Sequence, residues 1–221
     1  MASLMKIDVL CTDPRHPVLP YLQRWKAVQE SLGHDVNLIN EKADLSGGDL
    51  LFLVSCSQVL NNTERGQYRA ALVLHASDLP KGRGWSPHVW AILAGESEVT
   101  VCLLEAQDPV DSGLVWLRTR FALDGSELLP EINQRLFLAE LNLMTEAVQR
   151  VGSIEPSPQQ GDPGPYMKRR TPADSRLDPH KTIAEQFDLL RTVDSERYPA
   201  FFDFRGHRYV IKIDKVDGRD R

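Results

Sequence analysis

Five short apolar runs, separated by stretches of helical periodicity, constrain this chain more than any other feature. KIDVLC (6–11), DVNLIN (35–40), DLLFLVS (49–55), ALVLHA (71–76) and VTVCLLEA (99–106) each have the length and composition of a strand. Between the first two runs, Leu19, Leu22, Trp25, Val28 and Leu32 lie on one helical face, and Gly33 stops the pattern. The runs from 49 and 71 are apolar almost without alternation, as strands covered on both faces require. Strand–helix alternation of this kind predicts an α/β domain with a mostly parallel sheet. A polar, helix-like NNTERGQY follows the third run, and a helix at 87–95 separates the last two. A long helix over 127–151, with Leu128, Ile132, Leu136, Leu141, Met144 and Val148 near helical spacing, completes the cover.

The next stretch changes character. GSIEPSPQQGDPGP (152–165) holds four prolines and three glycines and reads as a linker or loop. Beyond it, KTIAEQFDLLRTV predicts a short helix. AFFDF-RGH-RYVIKI predicts a hairpin in which Tyr209, Ile211 and Ile213 alternate. The expected organisation is a catalytic domain over 1–151, a linker over 152–165 and a small C-terminal α+β appendage over 166–221.

With 221 residues, 42% hydrophobic and 26% charged, the chain can bury a sizeable core and is not disordered wholesale. Cys11, Cys56 and Cys102 lie far apart, form no zinc spacing and cannot all pair, so reduced thiols in a cytoplasmic protein are expected. MASLMKIDVL lacks the apolar length of a signal peptide and no run approaches a membrane span, so no membrane partner is expected. The net charge of −5 argues against a general polyanion binder such as a nucleic-acid protein. It is unevenly spread: residues 168–221 carry 13 basic and 10 acidic side chains, and the first 167 carry −8. That basic bias serves either one phosphorylated ligand or a solvated face. No GxGxxG follows the first strand and no GxxxxGK[ST] occurs, so nucleotide phosphates are not gripped in those two ways.

The chemistry concentrates in LHASDLPKGRGWSPHVWAILAG (74–95). In open α/β sheets the ligand crevice lies beyond the carboxyl ends of the strands. His75 ends ALVLHA, and Asp111 follows VTVCLLEA in DPVDSG, so both are expected at one rim. A carboxylate beside an imidazole fixes its tautomer and stabilises its charged form, which suits it to an oxyanion or a proton relay. Ser77, two residues on, would point the same way. A histidine at a strand end also has a plain structural reading.

The order of parts narrows this further. His75-Ala-Ser77-Asp-Leu79-Pro80, then Arg83-Gly84, Pro87, Trp90-Ala91-Ile92 and Gly95, with Thr100 and Asp111-Ser-Gly113 behind, resembles the folate-dependent formyltransferase family. Its members include methionyl-tRNA, glycinamide-ribotide and nucleotide-sugar N-formyltransferases. Gln159, Tyr166, Lys168-Arg169-Arg170, Pro172, Asp174 and Leu177-Asp178, continued by Arg191 and Tyr198-Pro199-Ala200, are similar to the segment after the catalytic domain of the sugar enzymes.

The resemblance implies a Rossmann-like formyltransferase fold, a mixed, mostly parallel sheet flanked by helices. It implies N10-formyltetrahydrofolate as formyl donor, attacked by a neutral amine, with no metal. His75 would stabilise the oxyanion or manage the amine's proton, and Asp111 would orient and charge it. SCSQVLN (55–61), with Cys56, Ser57, Gln58, Val59 and Leu60, matches where the family clasps the pterin. EAQDPVD (105–111), with Ala106, Asp108 and Val110, matches its second pterin loop. Both also read as ordinary turns. Ser77, Lys81, Arg83, Trp85, Arg169 and Arg170 are the candidate substrate contacts. Arg83-Gly84 equally serves as turn architecture, Trp85 as packing, and Trp90 belongs to a helix core.

One position departs from the pattern. Where the family usually has an asparagine two residues before the histidine, this chain has Val73, which donates nothing. Losing one oxyanion donor typically costs about 100- to 1000-fold in rate, so either another donor replaces it, with Ser77, Ser57 and Asn61 as the candidates, or the enzyme is slow or inactive. The function expected is N-formylation of a nucleotide-linked amino sugar or nonulosonate-type sugar, by a homodimer. Alternatives are a methionyl-tRNA formyltransferase-like enzyme, expected to bring a larger basic C-terminal domain, and a degenerate binding protein in which Val73 marks lost catalysis.

Overall fold

The computed structural model describes residues 4–216. The strands β1 (Lys6–Leu10), β2 (Asp35–Ile39), β3 (Gly48–Leu53), β4 (Tyr68–His75), β5 (Glu98–Glu105) and β6 (Val115–Ala122) form one sheet in the order β2-β1-β3-β4-β5-β6. The first four run parallel, while β5 is antiparallel to both β4 and β6. The sheet is therefore mixed. β6 was not expected from the sequence. Its stretch VWLRTRFA carries exposed arginines at 118 and 120 and lies at the sheet edge, where charge is tolerated and discourages further pairing.

Helices α1 (Leu19–Ser31) and α4 (Leu129–Arg150) cover one face of the sheet. Alternate residues of the strands pack beneath them: Ile7, Val9, Leu50, Phe52, Leu72, Leu74, Val101 and Leu103 share one core with Leu22, Trp25, Leu136, Phe137 and Met144. Trp25 meets Phe52 edge-on, and its indole N–H donates to Thr145 at 2.9 Å, tying α1 to α4. The buried stripe of α1 is Leu22, Trp25 and Gln29, with Leu19 packed against the core, so the expected face holds over its first three positions only. Val28 and Leu32 are exposed, because the helix presents the i, i+3, i+7 positions from Leu22 to the core.

The opposite face is covered mainly by connections. Leu10, Leu51, Leu53, Leu60 and Tyr68 form one small cluster there, and Leu79, Cys102, Leu104 and Val115 form another, with Val73 packed against both. The short α2 (Asn62–Arg65) begins with a capping box between Asn61 and Glu64. Asp8 is fully buried on this face. Burial alone would raise its carboxyl, but hydrogen bonds from Tyr68, Ser46 and Asn37 outweigh that and hold it below the usual range.

The C-terminal portion is bound to the sheet at several points. Ser157 pairs with Val115, and Met167 pairs with Gly84. The helix α3 (Pro87–Leu93) packs on α5 (Phe187–Thr192), whose Arg191 is buried beside Glu127 at the entry to α4. β7 (Ala200–Phe204) and β8 (His207–Ile211) form the expected hairpin, and Ala200, Phe202, Ile211 and Ile213 pack with Leu177, Leu190 and Val193.

Candidate active site

Period-2 alternation along the end of β4 sets the site. Leu72 and Leu74 belong to the helix-covered core, so Val73 and His75 lie on the other face, and Ser77 follows in the bend just past the strand end. There His75 pairs in register with Cys102, whose thiol donates to the Ser77 carbonyl at 3.1 Å. Both His75 and Asp111 are buried, and His75 Nδ1 stands 3.5 Å from Asp111 Oδ1. His75 Nε2 lies 2.9 Å from the Gly82 carbonyl, which can only accept, so that nitrogen carries a proton.

The two side chains meet by a different route from the one the sequence suggested. Because β5 is antiparallel, its carboxyl end at Glu105 lies opposite Leu72 rather than beside His75. The connection from β5 to β6 then carries Asp111 back to the histidine. Three constraints hold it there. Gly113 passes so close to Glu105 that a Cβ would lie 1.9 Å from its carbonyl oxygen. The Gln159 side-chain amide donates to the carbonyls of both Asp111 and Gly113 at 2.9 Å. The Gly84 amide donates to Asp111 Oδ2, also at 2.9 Å. Gly84 sits at φ +114°, and a Cβ there would meet the Met167 carbonyl at 2.3 Å. The Met167 amide donates to the Arg83 carbonyl and the Trp85 amide to the Met167 carbonyl. The proline-rich segment thus becomes the outer wall of the histidine–aspartate pair.

Of the expected substrate contacts, Arg83 stands at this wall and Ser77 lies beside Gly82. Ser77 Oγ and Arg83 Nε are both buried with no hydrogen-bond partner in the protein. Arg169 lies over the Trp85 ring at 4.9 Å, and Lys81 is exposed. Arg170 donates to the Asp174 carbonyl, and burial lowers its affinity for its proton. Trp90 is not helix core: it is half-buried, and its indole N–H donates to the Lys168 carbonyl.

Three neighbours went unnoticed as site residues. His88, in α3, is held down to about 4 by burial, with the charges of His75 and Arg170 adding to the effect. The Tyr166 hydroxyl is raised by burial and by Asp111. Gln159 orients the aspartate loop. Nothing in SPHVW marks His88. Gln159 and Tyr166 stood in the resembling segment but carried no role.

The two expected pterin loops border one apolar patch: Leu60 is buried, with Cys56, Ala106 and Val73 packed around its cluster. Arg65 joins the loops by donating to the Leu60 carbonyl and pairing with Asp108 at 2.6 Å. Val59 and Val110 are exposed. Gln58 turns away, bonded to Lys42 and Glu41, and Ser57 is bound to Thr12 through both its amide and hydroxyl. Among the described residues no three His, Cys, Asp or Glu side chains gather as a metal site, and no helix is long and apolar enough to cross a membrane.

A methionyl-tRNA formyltransferase from Dinoroseobacter shibae is 32% identical over 84% of this chain, which spans 58% of that relative. The chain spans 50% of a second, from Ruegeria pomeroyi. In structure, a methionyl-tRNA formyltransferase from Clostridium thermocellum superposes with a TM-score of 0.81 at 21% identity, covering 98% of this chain and 96% of that one. HypX from Aquifex aeolicus, in complex with tetrahydrofolic acid, gives 0.79 at 22%, covering 96% and 38%. A sugar N-formyltransferase from a Shewanella species gives 0.73 at 15%, covering 97% and 100%. The sequence pattern of the formyl transferase family matches residues 15–148, which include His75 and Asp111. This chain is a member of the formyl transferase family.

Proposed function

We propose that this chain moves a formyl group from N10-formyltetrahydrofolate to the amine of an amino sugar, carried as a nucleotide sugar or a nonulosonate-type acid. The observation that carries the reading is the buried His75–Asp111 pair, 3.5 Å apart and clamped by Gly84 and Gln159. The folate, when bound, supplies an activated formyl carbon. A flat ring with polar edges suits the apolar patch of Leu60, Cys56, Ala106 and Val73, with the main chain of 56–60 and 106–110 at its rim. Asp111 holds the imidazole by Nδ1. Nε2–H is then the outward donor, and the Gly82 carbonyl is the acceptor that an oxyanion would replace. Arg83 puts positive charge at the wall of the pair, with Lys81 and Arg169 on the flanking segments, fitting an acceptor with a phosphate or carboxylate.

Support for the sugar acceptor comes from the residues over 159–200, which resemble the segment after the catalytic domain of the sugar enzymes. A methionyl-tRNA acceptor is the second reading, favoured by the D. shibae relative. Incubation with N10-formyltetrahydrofolate and UDP-, dTDP- or CMP-linked amino sugars, beside methionyl-tRNA, separates them by product mass. A formylated sugar supports the first reading. Formylated methionyl-tRNA alone replaces it with the second, and no tetrahydrofolate release from any acceptor contradicts both.

A further inference from the structure

Val73 removes the side-chain donor that a formyl oxygen would meet two residues before the histidine. The three polar side chains available to replace it are not equivalent. Asn61 is exposed, with its side chain fixed as the cap of α2 by the Glu64 amide. Ser57 is exposed and bonded to Thr12. Ser77 Oγ is buried and has no partner in the protein. Buried hydroxyls nearly always find a hydrogen-bond partner, so an orphan beside a reactive histidine points to a ligand.

Its position agrees. Ser77 lies just past the end of β4, two residues beyond His75, and Val73 stands two residues before it on the strand. The point where a Cβ on Gly82 would sit is 2.9 Å from Ser77 Cβ and 3.3 Å from its Oγ, and the carbonyl of that same glycine accepts from His75 Nε2. The hydroxyl, the Gly82 peptide and the imidazole are therefore contiguous.

We propose that the Ser77 hydroxyl is a catalytic hydrogen-bond donor to the formyl oxygen, standing in for the asparagine that Val73 replaces; this rests on the formyl-transfer reading above. As the amine lone pair forms the new C–N bond, the carbonyl π pair moves onto oxygen, where Ser77 O–H and His75 Nε2–H donate without giving up their protons. The carbonyl then re-forms, the bond from carbon to folate N10 breaks, and that nitrogen receives the proton lost by the attacking amine.

The test needs no acceptor. A 5,8-dideaza analogue of N10-formylfolate, carbon-13 labelled at the formyl group, is bound to the full chain, and the labelled C=O stretch is read by isotope-edited infrared difference spectroscopy. Hydrogen bonding lowers that stretch, so the band is expected at lower frequency in wild type than in Ser77→Ala. Turnover of Ser77→Ala is expected to fall about 100- to 1000-fold, with the KM for folate nearly unchanged, and Val73→Asn in that background to recover at least about tenfold. A bound band at the same frequency in both proteins overturns the role of Ser77 while leaving formyl transfer intact. No bound band in wild type overturns the formyl-transfer reading, and the assignment with it.

Discussion

Glu140 gives the structure its sharpest pH signature. It lies on the core face of α4 between Leu136 and Met144, fully inside the protein, with Oε2 unpartnered. Burial raises its carboxyl from 4.5 to about 8. In the unfolded chain the group loses its proton near the ordinary value, so between these limits the folded state binds more protons than the unfolded one. Stability is then full at low pH and falls as pH rises toward 8, by about 1.4 kcal/mol per unit and about 5 kcal/mol across the window. Glu140→Gln removes the titration but leaves an amide with unmet hydrogen bonds, a roughly constant cost of about 1–3 kcal/mol. Urea unfolding of both proteins at half-unit intervals through this range reads the difference directly. The wild-type-minus-variant stability should slope downward by about 3 kcal/mol over two pH units, with the variant the more stable at the alkaline end. Other titrating groups, including the buried His88, cancel in that difference. Parallel curves would refute the buried, neutral carboxyl.

Two further substitutions test how the C-terminal segment supports the site. Gly84→Ala forces a Cβ into the Met167 carbonyl at a left-handed backbone, and should cost about 3 kcal/mol and expose residues 155–168 to limited proteolysis. Glu127 is buried, paired with Arg135 at 2.8 Å and lying 3.8 Å from the buried Arg191. Glu127→Gln should therefore lose about 3 kcal/mol in urea unfolding and speed amide exchange in α5 ahead of the sheet.

Much of the fold was legible because its strands are buried on both faces, which leaves nearly unbroken apolar runs at β3, β4 and β5. β6 was not, because an edge strand need satisfy only one face, and Arg118 and Arg120 broke its signal. The direction of β5 was equally hidden: nothing in VTVCLLEA distinguishes a parallel neighbour from an antiparallel one. The contact of His75 with Asp111 was therefore expected for an incomplete reason, since it depends on the return of the 106–113 connection and on Gln159, 48 positions beyond the aspartate. Glu140 was not singled out, because a carboxylate one residue before Leu141 reads as part of the solvent face until the helix is set on the sheet. Ser77 could not be chosen over Ser57 and Asn61 until the partners of all three hydroxyl and amide groups were known.

Single-turnover transfer from N10-formyltetrahydrofolate tests the central pairing most directly, with His75→Ala and Asp111→Asn compared against wild type at matched thermal stability. Each substitution should slow tetrahydrofolate release by about 100- to 1000-fold, as loss of an oxyanion donor or of the carboxylate that orients it does elsewhere. Wild-type rates in both variants would mean that the chemistry proceeds without the pair.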